Sequence, residues 1–238
     1  KKKELRLIRY KIIKCMMNVT EAVLSRRSIR SFLDKPVKDS LIKELLEKSS
    51  YAASGGNLQP WKIFLINSST MKEFLDFQKN WSDADVPEYP VYPEKLKEPY
   101  RTSRFEVGEQ IYAAIGISRD DKNARLNQML KNFEFFGAPC GLFCFVDRQM
   151  NLPQWSDLGM FLQTFMLLAQ ESNLDTCAQE SWSLKQNMVS KFFEVDSDLM
   201  LFCGMAIGYK DPEDPINNFK RTRRPIDDWA YFKGGKID

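Results

Sequence analysis

Two arginine clusters at opposite ends of the chain constrain its fold more than any other feature. Near the start stand Arg26, Arg27, Ser28, Ile29, Arg30, Ser31 and Phe32; near the finish stand Arg221, Thr222, Arg223, Arg224 and Pro225. Each joins guanidinium donors to a hydroxyl, the set of groups that holds a phosphate through forked, charge-assisted hydrogen bonds. In extended backbone Arg26, Ser28 and Arg30 share one side, and so do Arg221 and Arg223. A fold in which both combs grip one anion must bring the two ends of the chain together. The competing reading is solvated basic surface.

A third segment, Ala53-Ser54-Gly55-Gly56-Asn57-Leu58-Gln59-Pro60-Trp61, precedes the apolar run Ile63 to Ile66. Its small residues let backbone approach a flat ligand closely. Asn57 and Gln59 add amide donors and acceptors, and Pro60 pushes Gln59 toward extended backbone at the head of a strand. Alone it is an ordinary helix-to-strand loop.

In this order, the three segments resemble the FMN-dependent nitroreductase family. Its members carry an Arg-x-Ser-x-basic segment, an Asn-x-Gln-Pro-Trp loop before the first core strand, and a basic-x-Arg-x-Pro segment near the end. The stretches Asp157 to Thr164 and Asn173 to Trp182 match its apolar helix and the turn that follows, with Ala178 where many relatives have proline. The resemblance runs from about Val19 to Trp229. It implies an α+β fold, a mixed and mostly antiparallel sheet wrapped by helices in an intertwined homodimer.

Composition narrows the chemistry. The 238 residues are 43% hydrophobic and 28% charged, an ordinary globular balance compatible with one domain. A net charge of +3 is too small to suggest nucleic acid as the main partner. No histidine is present, which excludes Ser-His-Asp and Cys-His catalysis and histidine-ligated metal. Cys15, Cys140, Cys144, Cys177 and Cys203 form no CxxC pair, so reduced thiols in a cytoplasmic protein are expected, with no metal. The longest nearly apolar stretch, around Leu199 to Gly208, falls short of the ~20 residues that span a bilayer, so no membrane partner is expected. Residues 1–17 read as a basic extension, an arm or helix on the dimer surface; Met17 and an upstream residue both stay open as the native start. Residues 18–238 read as the single flavin-binding domain.

The spacing of apolar residues predicts helices over 20–24, with Thr20 as N-cap, and over 39–47, 70–79, 107–117, 121–133, 158–169 and 185–193. Strands are expected over 62–67, 140–146 and 199–209. Cys140 and Cys144 should face one side of theirs. Residues 81–104 carry Trp81, Tyr89, Tyr92 and Tyr100 among Pro87, Pro90, Pro93 and Pro99, which no regular element accommodates. The segment reads as a lid, with Tyr89, Tyr92 and Tyr100 as candidates to stack on flat substrates, or as a surface meander. Residues 211–238 are aromatic enough to be an arm onto the partner subunit.

The resemblance assigns roles to individual residues. Arg26, Ser28, Arg221 and Arg223 match its phosphate-binding positions; Arg30 falls near flavin N1 and O2, and Arg27 at a further contact. Ser54, Gly55, Asn57 and Gln59 match the loop that reaches the partner subunit's flavin. Ala178, Gln179, Glu180 and Ser181 match the turn whose backbone N–H groups approach N5 and O4. Glu180 and Ser181 are the catalytic candidates, Glu180 being also readable as charge at a helix start. Asp157 aligns with a contact to the ribityl chain or ring edge, or is a buried helix cap; Asn132 aligns with the pyrimidine edge. The implied cofactors are FMN with NADH or NADPH, and the implied reaction is ping-pong reduction of a nitroaromatic, quinone or similar small-molecule acceptor. Reductive dehalogenation, flavin fragmentation and flavin binding without turnover stay open at this point.

Overall fold

The run Cys140–Asp147 (β2) is apolar at almost every position, so it must be covered on both faces, and Cys140 through Val146 are all buried. In the computed structural model, which describes residues 17–234, this strand is internal to a four-stranded sheet. On one side it pairs with Trp61–Asn67 (β1), Trp61 opposite Val146 and Asn67 opposite Cys140. On the other it pairs with Leu199–Gly208 (β4), which also holds Asp175–Gln179 (β3) on its far side. The order is β1-β2-β4-β3, and all three ladders are antiparallel.

The helices are Val19–Ser25 (α1), Asp39–Ser49 (α2), Ser69–Lys79 (α3), Tyr100–Ala114 (α4), Lys122–Leu130 (α5), Leu152–Glu171 (α6) and Gln186–Phe193 (α7). Strand alternation divides the core between the two faces of the sheet. Leu142, Cys144 and Val146 join Leu158, Phe161 and Phe165 of α6 and Leu45 of α2. Phe143 and Phe145 join Phe74 of α3 and Val189 of α7. Cys140 and Cys144 share the α6 side, as their spacing implied. Burial pushes the Cys140 and Cys203 thiols up to about 12, the property of packing residues rather than of nucleophiles.

Several expectations need correction. Thr20 is inside α1; Asn18 caps it, accepting from Glu21 N at 2.9 Å while the Glu21 carboxylate takes Asn18 N at 2.9 Å. The helix expected at 107 begins at Tyr100, so the irregular excursion ends at Pro99. The helix expected over 121–133 gives way after Leu130 to a 3₁₀ stretch, Lys131–Gly137. The stretch from Asn173 to Trp182, matched to a turn, holds a strand, β3, too short and polar for the alternation to show. On α6, Asp157, Leu158, Phe161, Leu162, Phe165 and Ala169 are buried, while Leu152 is 83% and Met160 40% exposed. The helix is thus buried on one side only within a chain. Residues 1–16, most of the basic extension, lie outside the described residues, as do 235–238.

Trp182 locks the aromatic face. It is fully buried, 4.6 Å from the Phe135 ring, 5.2 Å from Phe143 and 5.5 Å from Phe74 between centroids. It lies flat against β4 because Gly204 has no side chain: a Cβ there would stand 2.2 Å from Trp182 Cδ1. Gly204→Ala should therefore destabilise the fold by roughly 1–3 kcal/mol through overpacking. The urea midpoint measures this, and an unchanged midpoint would show that the indole has room to move.

Candidate active site

The first arginine segment is held by the edge of the sheet. Ser28 forms a parallel bridge with Thr176 of β3, and Ile29 N donates to Thr176 O at 3.0 Å. Further on, Leu33 N donates to Tyr209 O at 2.8 Å, and Asp211 N to Ser31 O at 3.0 Å. Ile29 and Phe32 are buried in the core while Arg26, Ser28 and Arg30 stay partly exposed. Over Arg26 to Arg30 this is the alternation that extended backbone imposes, and it breaks at Ser31–Phe32.

The second cluster is brought back by the turn after β4. Asn217, 6% exposed, accepts from Arg30 N at 2.8 Å and donates to Ser31 O and Asp211 O, both at 2.8 Å. Arg27 Nη1 donates to Phe219 O at 3.0 Å, and Arg221 Nη2 to Leu24 O at 3.2 Å. One amide side chain thus pins both ends of the polypeptide, and the two arginine combs meet.

Arg26, Arg27, Arg30, Arg221 and Arg223 line one cleft of about 150 Å³ with Ser28, and no carboxylate is among its walls. Burial, then the nearby Arg223, pulls the Arg26 guanidinium below its usual pKa. Arg221 is lowered likewise, by burial first and then by Arg26, Arg223 and Arg27. Arg26 Nε is buried with no hydrogen-bond partner. Like charges gathered in a partly desolvated space with a donor unmet are costly unless an anion enters. The cleft therefore favours an anion.

Arg30 also walls a second recess of about 150 Å³, with Asn132, Gly108, Ile111 and Phe136. So the structure joins Asn132 to the arginine group. A larger cavity of about 480 Å³ shares Arg30, but Glu134 and Asp214 face its cations, so it lacks the unbalanced charge. Both small recesses fall below the roughly 300–1,000 Å³ of a complete small-molecule site. Each is one wall of something larger.

The segment after β3 borders this region. Ala178 and Glu180 are exposed, and Ser181 Oγ is buried without a partner, as is Thr176 Oγ1. Gln179 is buried and its side chain is committed, Nε2 donating to Asn132 O at 2.6 Å and Oε1 accepting from Trp182 Nε1 at 3.3 Å. Its amide therefore positions Asn132 and offers nothing to a ligand.

The three tyrosines separate. A bulge in the β2–β4 ladder leaves Phe202 out of register, and the Tyr89 hydroxyl donates to its carbonyl. Burial pushes the Tyr89 phenol well above its usual range. That ring is a structural plug, packed edge-on to Trp155. Tyr100 opens α4 beneath Arg224, whose guanidinium is 5.7 Å from its centroid. Tyr92 lies nearer the surface, and burial first, then the Glu180 charge, raises its phenol.

The loop of Ser54, Gly55, Asn57 and Gln59 is not brought to the cleft of its own chain. Asn57, at φ 57°, and Gln59, at φ 50°, hold left-handed backbone. Their hydrogen bonds stay local, Gln59 N to Ser54 Oγ at 3.1 Å and Gln59 Nε2 to Asn57 O at 3.2 Å. Asp157 belongs with this loop, its carboxylate accepting from Gly55 N at 3.1 Å. It lies inside α6, which begins at Leu152 with Asn151 as its cap, and what it caps is the start of the 3₁₀ turn Gly55–Asn57. Sequence reading missed Asn217, whose one signal was the Asp214-Pro215 turn before it, and missed α4 as a wall of the cleft through Val107.

Asp157→Ala should free the loop, since it strands a backbone N–H at a cost of about 1–3 kcal/mol. Faster proteolytic cleavage between Ala53 and Trp61 would register it, with Asp157→Asn closer to wild type because an acceptor oxygen remains. Equal cleavage rates in all three proteins would refute the anchoring role.

Comparison with known proteins agrees with this geometry. The model of the Nitroreductase family matches residues 23–209. The chain is 33% identical over 215 residues to a 4-nitrobenzoate reductase of Pseudomonas putida, covering 89% of this chain and 94% of that one. It is 31% identical over 218 residues to a nitrobenzene nitroreductase of Ectopseudomonas oleovorans, covering 90% and 96%. The crystal structure of the FMN and NADPH-dependent nitroreductase NfnB from sphigopyxis sp. strain HMH superposes with a TM-score of 0.87 at 38% identity, over 92% of this chain and 100% of that one. With the arginine cleft, the antiparallel sheet and the match across most of its length, the chain belongs to the nitroreductase family.

Proposed function

We propose that this protein is an FMN-dependent NAD(P)H oxidoreductase that reduces nitroaromatic and related electrophilic acceptors, working as a homodimer. The observation that carries the reading is the five-arginine cleft with no carboxylate and with Arg26 Nε buried and unmet. A phosphate monoester dianion answers that arrangement, and the adjoining Arg30–Asn132 recess suits a flat, hydrogen-bonding ring edge beside it. The relatives named for nitrobenzene and 4-nitrobenzoate, and the solved neighbour named for FMN and NADPH, support the same class of cofactor and acceptor.

Bound there, FMN supplies two-electron transfer between a nicotinamide donor and the acceptor. Arg26, Ser28, Arg221 and Arg223 would hold its phosphate, while Arg27, tied to Phe219 O, would add field and fixes the strand. Arg30, held in place by its own N–H to Asn217 and by Nη1 to Ser28 O at 3.1 Å, offers a fixed cation to the pyrimidine edge. A cation already oriented there stabilises negative charge without reorganising. Asn132 offers amide groups beside it, steadied by Gln179. The backbone N–H groups from Ala178 to Ser181 would be available to the ring from the β3 exit. In a chain without histidine, Glu180 and Ser181 are the side chains at that mouth able to hold or pass a proton.

The Ser54–Gln59 loop of one protomer is proposed to close the cleft of its partner. Support comes from its distance from the cleft of its own chain and from the smallness of each recess. The exposed apolar residues Leu152 and Met160 of α6, and Trp229, Tyr231 and Phe232 of the tail, offer a surface for that contact.

Arg221→Ala combined with Arg223→Ala should weaken FMN binding at least about a hundredfold, since each charged hydrogen bond contributes about 1.5–3 kcal/mol. The flavin absorbance of the purified protein reads this directly. A double variant that purifies fully yellow would refute the phosphate assignment, and a wild-type protein whose flavin is not bleached by NADH or NADPH would refute the enzymatic reading. In sedimentation at low micromolar concentration the flavin should travel only with the dimer, and a flavin-loaded monomer would rule out the shared site.

A further inference from the structure

On α4, Arg104, Val107, Gly108 and Ile111 stand at i, i+3, i+4 and i+7, one face of the helix. Val107 lines the arginine cleft, and Gly108 and Ile111 line the Arg30–Asn132 recess. Arg104 is therefore one turn further along the face that looks onto the candidate site. Two other charges of this helix are paired, Arg101 with Glu98 at 2.7 Å and Glu109 with Arg125 at 2.6 Å. Arg104 has no ion pair among the described residues; its guanidinium lies over the Tyr92 ring, 4.4 Å from the centroid. The charges of both Arg104 and Glu180 act on the Tyr92 hydroxyl.

We propose that Arg104, seated on the Tyr92 ring, reads an anionic substituent of the aromatic acceptor, so that nitroaromatic carboxylates are preferred over neutral nitroarenes. The assignment rests on the cleft being the redox site of a nitroaromatic reductase. A guanidinium seated on an aromatic face is held by cation–π attraction, and the N–H groups at its edge can meet a carboxylate as a fork. A flat acceptor finds apolar area beside it on Tyr92. The Glu180 carboxylate repels a like charge, so an acid group settles at Arg104 rather than beside Glu180. The ligand is thereby polarised, with its acid group at Arg104 and its opposite end toward Glu180 and Ser181. Overall similarity does not choose between the two substrate classes, because the relatives named for nitrobenzene and for 4-nitrobenzoate are 31% and 33% identical. Arg104 does.

The test uses the flavin-loaded enzyme and separates the half-reactions by stopped flow. Wild-type reduced enzyme should prefer 4-nitrobenzoate to nitrobenzene, and also to methyl 4-nitrobenzoate, in which the charge is removed without any substitution in the protein. In Arg104→Gln the ratio of kcat/KM for 4-nitrobenzoate over nitrobenzene should fall about tenfold or more, the loss expected for one charge-assisted fork. Arg104→Lys should restore part of it. An unchanged ratio in flavin-loaded Arg104→Gln, or equal wild-type rates with the acid and its methyl ester, would overturn the assignment and leave the proposed function standing. A defect confined to bleaching by NADPH would assign Arg104 to the phosphates of the reductant and overturn it too. Wild-type enzyme that bleaches but reduces neither nitroarene would overturn the proposed function itself.

Discussion

The site depends on one structural contact, the clamp of Asn217 between Arg30, Ser31 and Asp211. Five guanidinium groups around one small cleft repel one another, and nothing in their own chemistry gathers them. Backbone hydrogen bonds do so instead. The Arg26–Phe32 segment is tied to β3 and to the exit of β4, and the segment carrying Arg221 and Arg223 returns to it through Asn217, Phe219 and Leu24. The electrostatic strain that results is what gives the cleft its appetite for an anion.

The sheet makes that clamp possible by being rigid. β2 and β4 are covered on both faces, and Trp182 wedges the aromatic layer against Gly204 directly opposite Gln179. Gln179 then carries that rigidity outward through hydrogen bonds to Trp182 and Asn132. A short polar edge strand, β3, thus relays the packing of the core to both the Arg30 recess and the exposed Glu180. Irregular backbone near the site is anchored the same way: Glu88 and Arg148 form a bidentate pair, and Asp85 accepts from Met188 N at 3.0 Å, holding the excursion that delivers Tyr92.

Much of this was legible in the chain. The arginine combs, the buried runs at Cys140 and Leu199, the loop of Asn57 and Gln59 and the absence of histidine are local facts. They limit the chemistry before any contact is known. Helix boundaries were less legible where caps competed: Asn18 and Thr20 are both capping types, and only the reciprocal bond with Glu21 selects Asn18. β3 was read as a turn because five residues with two polar ends show no usable alternation.

The sequence by itself determined which groups were on offer, the secondary structure of the long periodic segments and the resemblance that orders the motifs. Only the tertiary structure decided what each group does. Tyr89 and Tyr92 look alike in sequence, yet a bulge carbonyl at Phe202 consumes one hydroxyl while the other faces Glu180. Packing also commits the Gln179 side chain to Asn132 and Trp182 and the Asp157 carboxylate to Gly55 N, partners that no spacing along the chain announces. The reason is physical. Helix and strand periodicities are set by neighbours along the chain, but the partner of a polar group is whichever donor or acceptor long-range packing leaves unmet beside it.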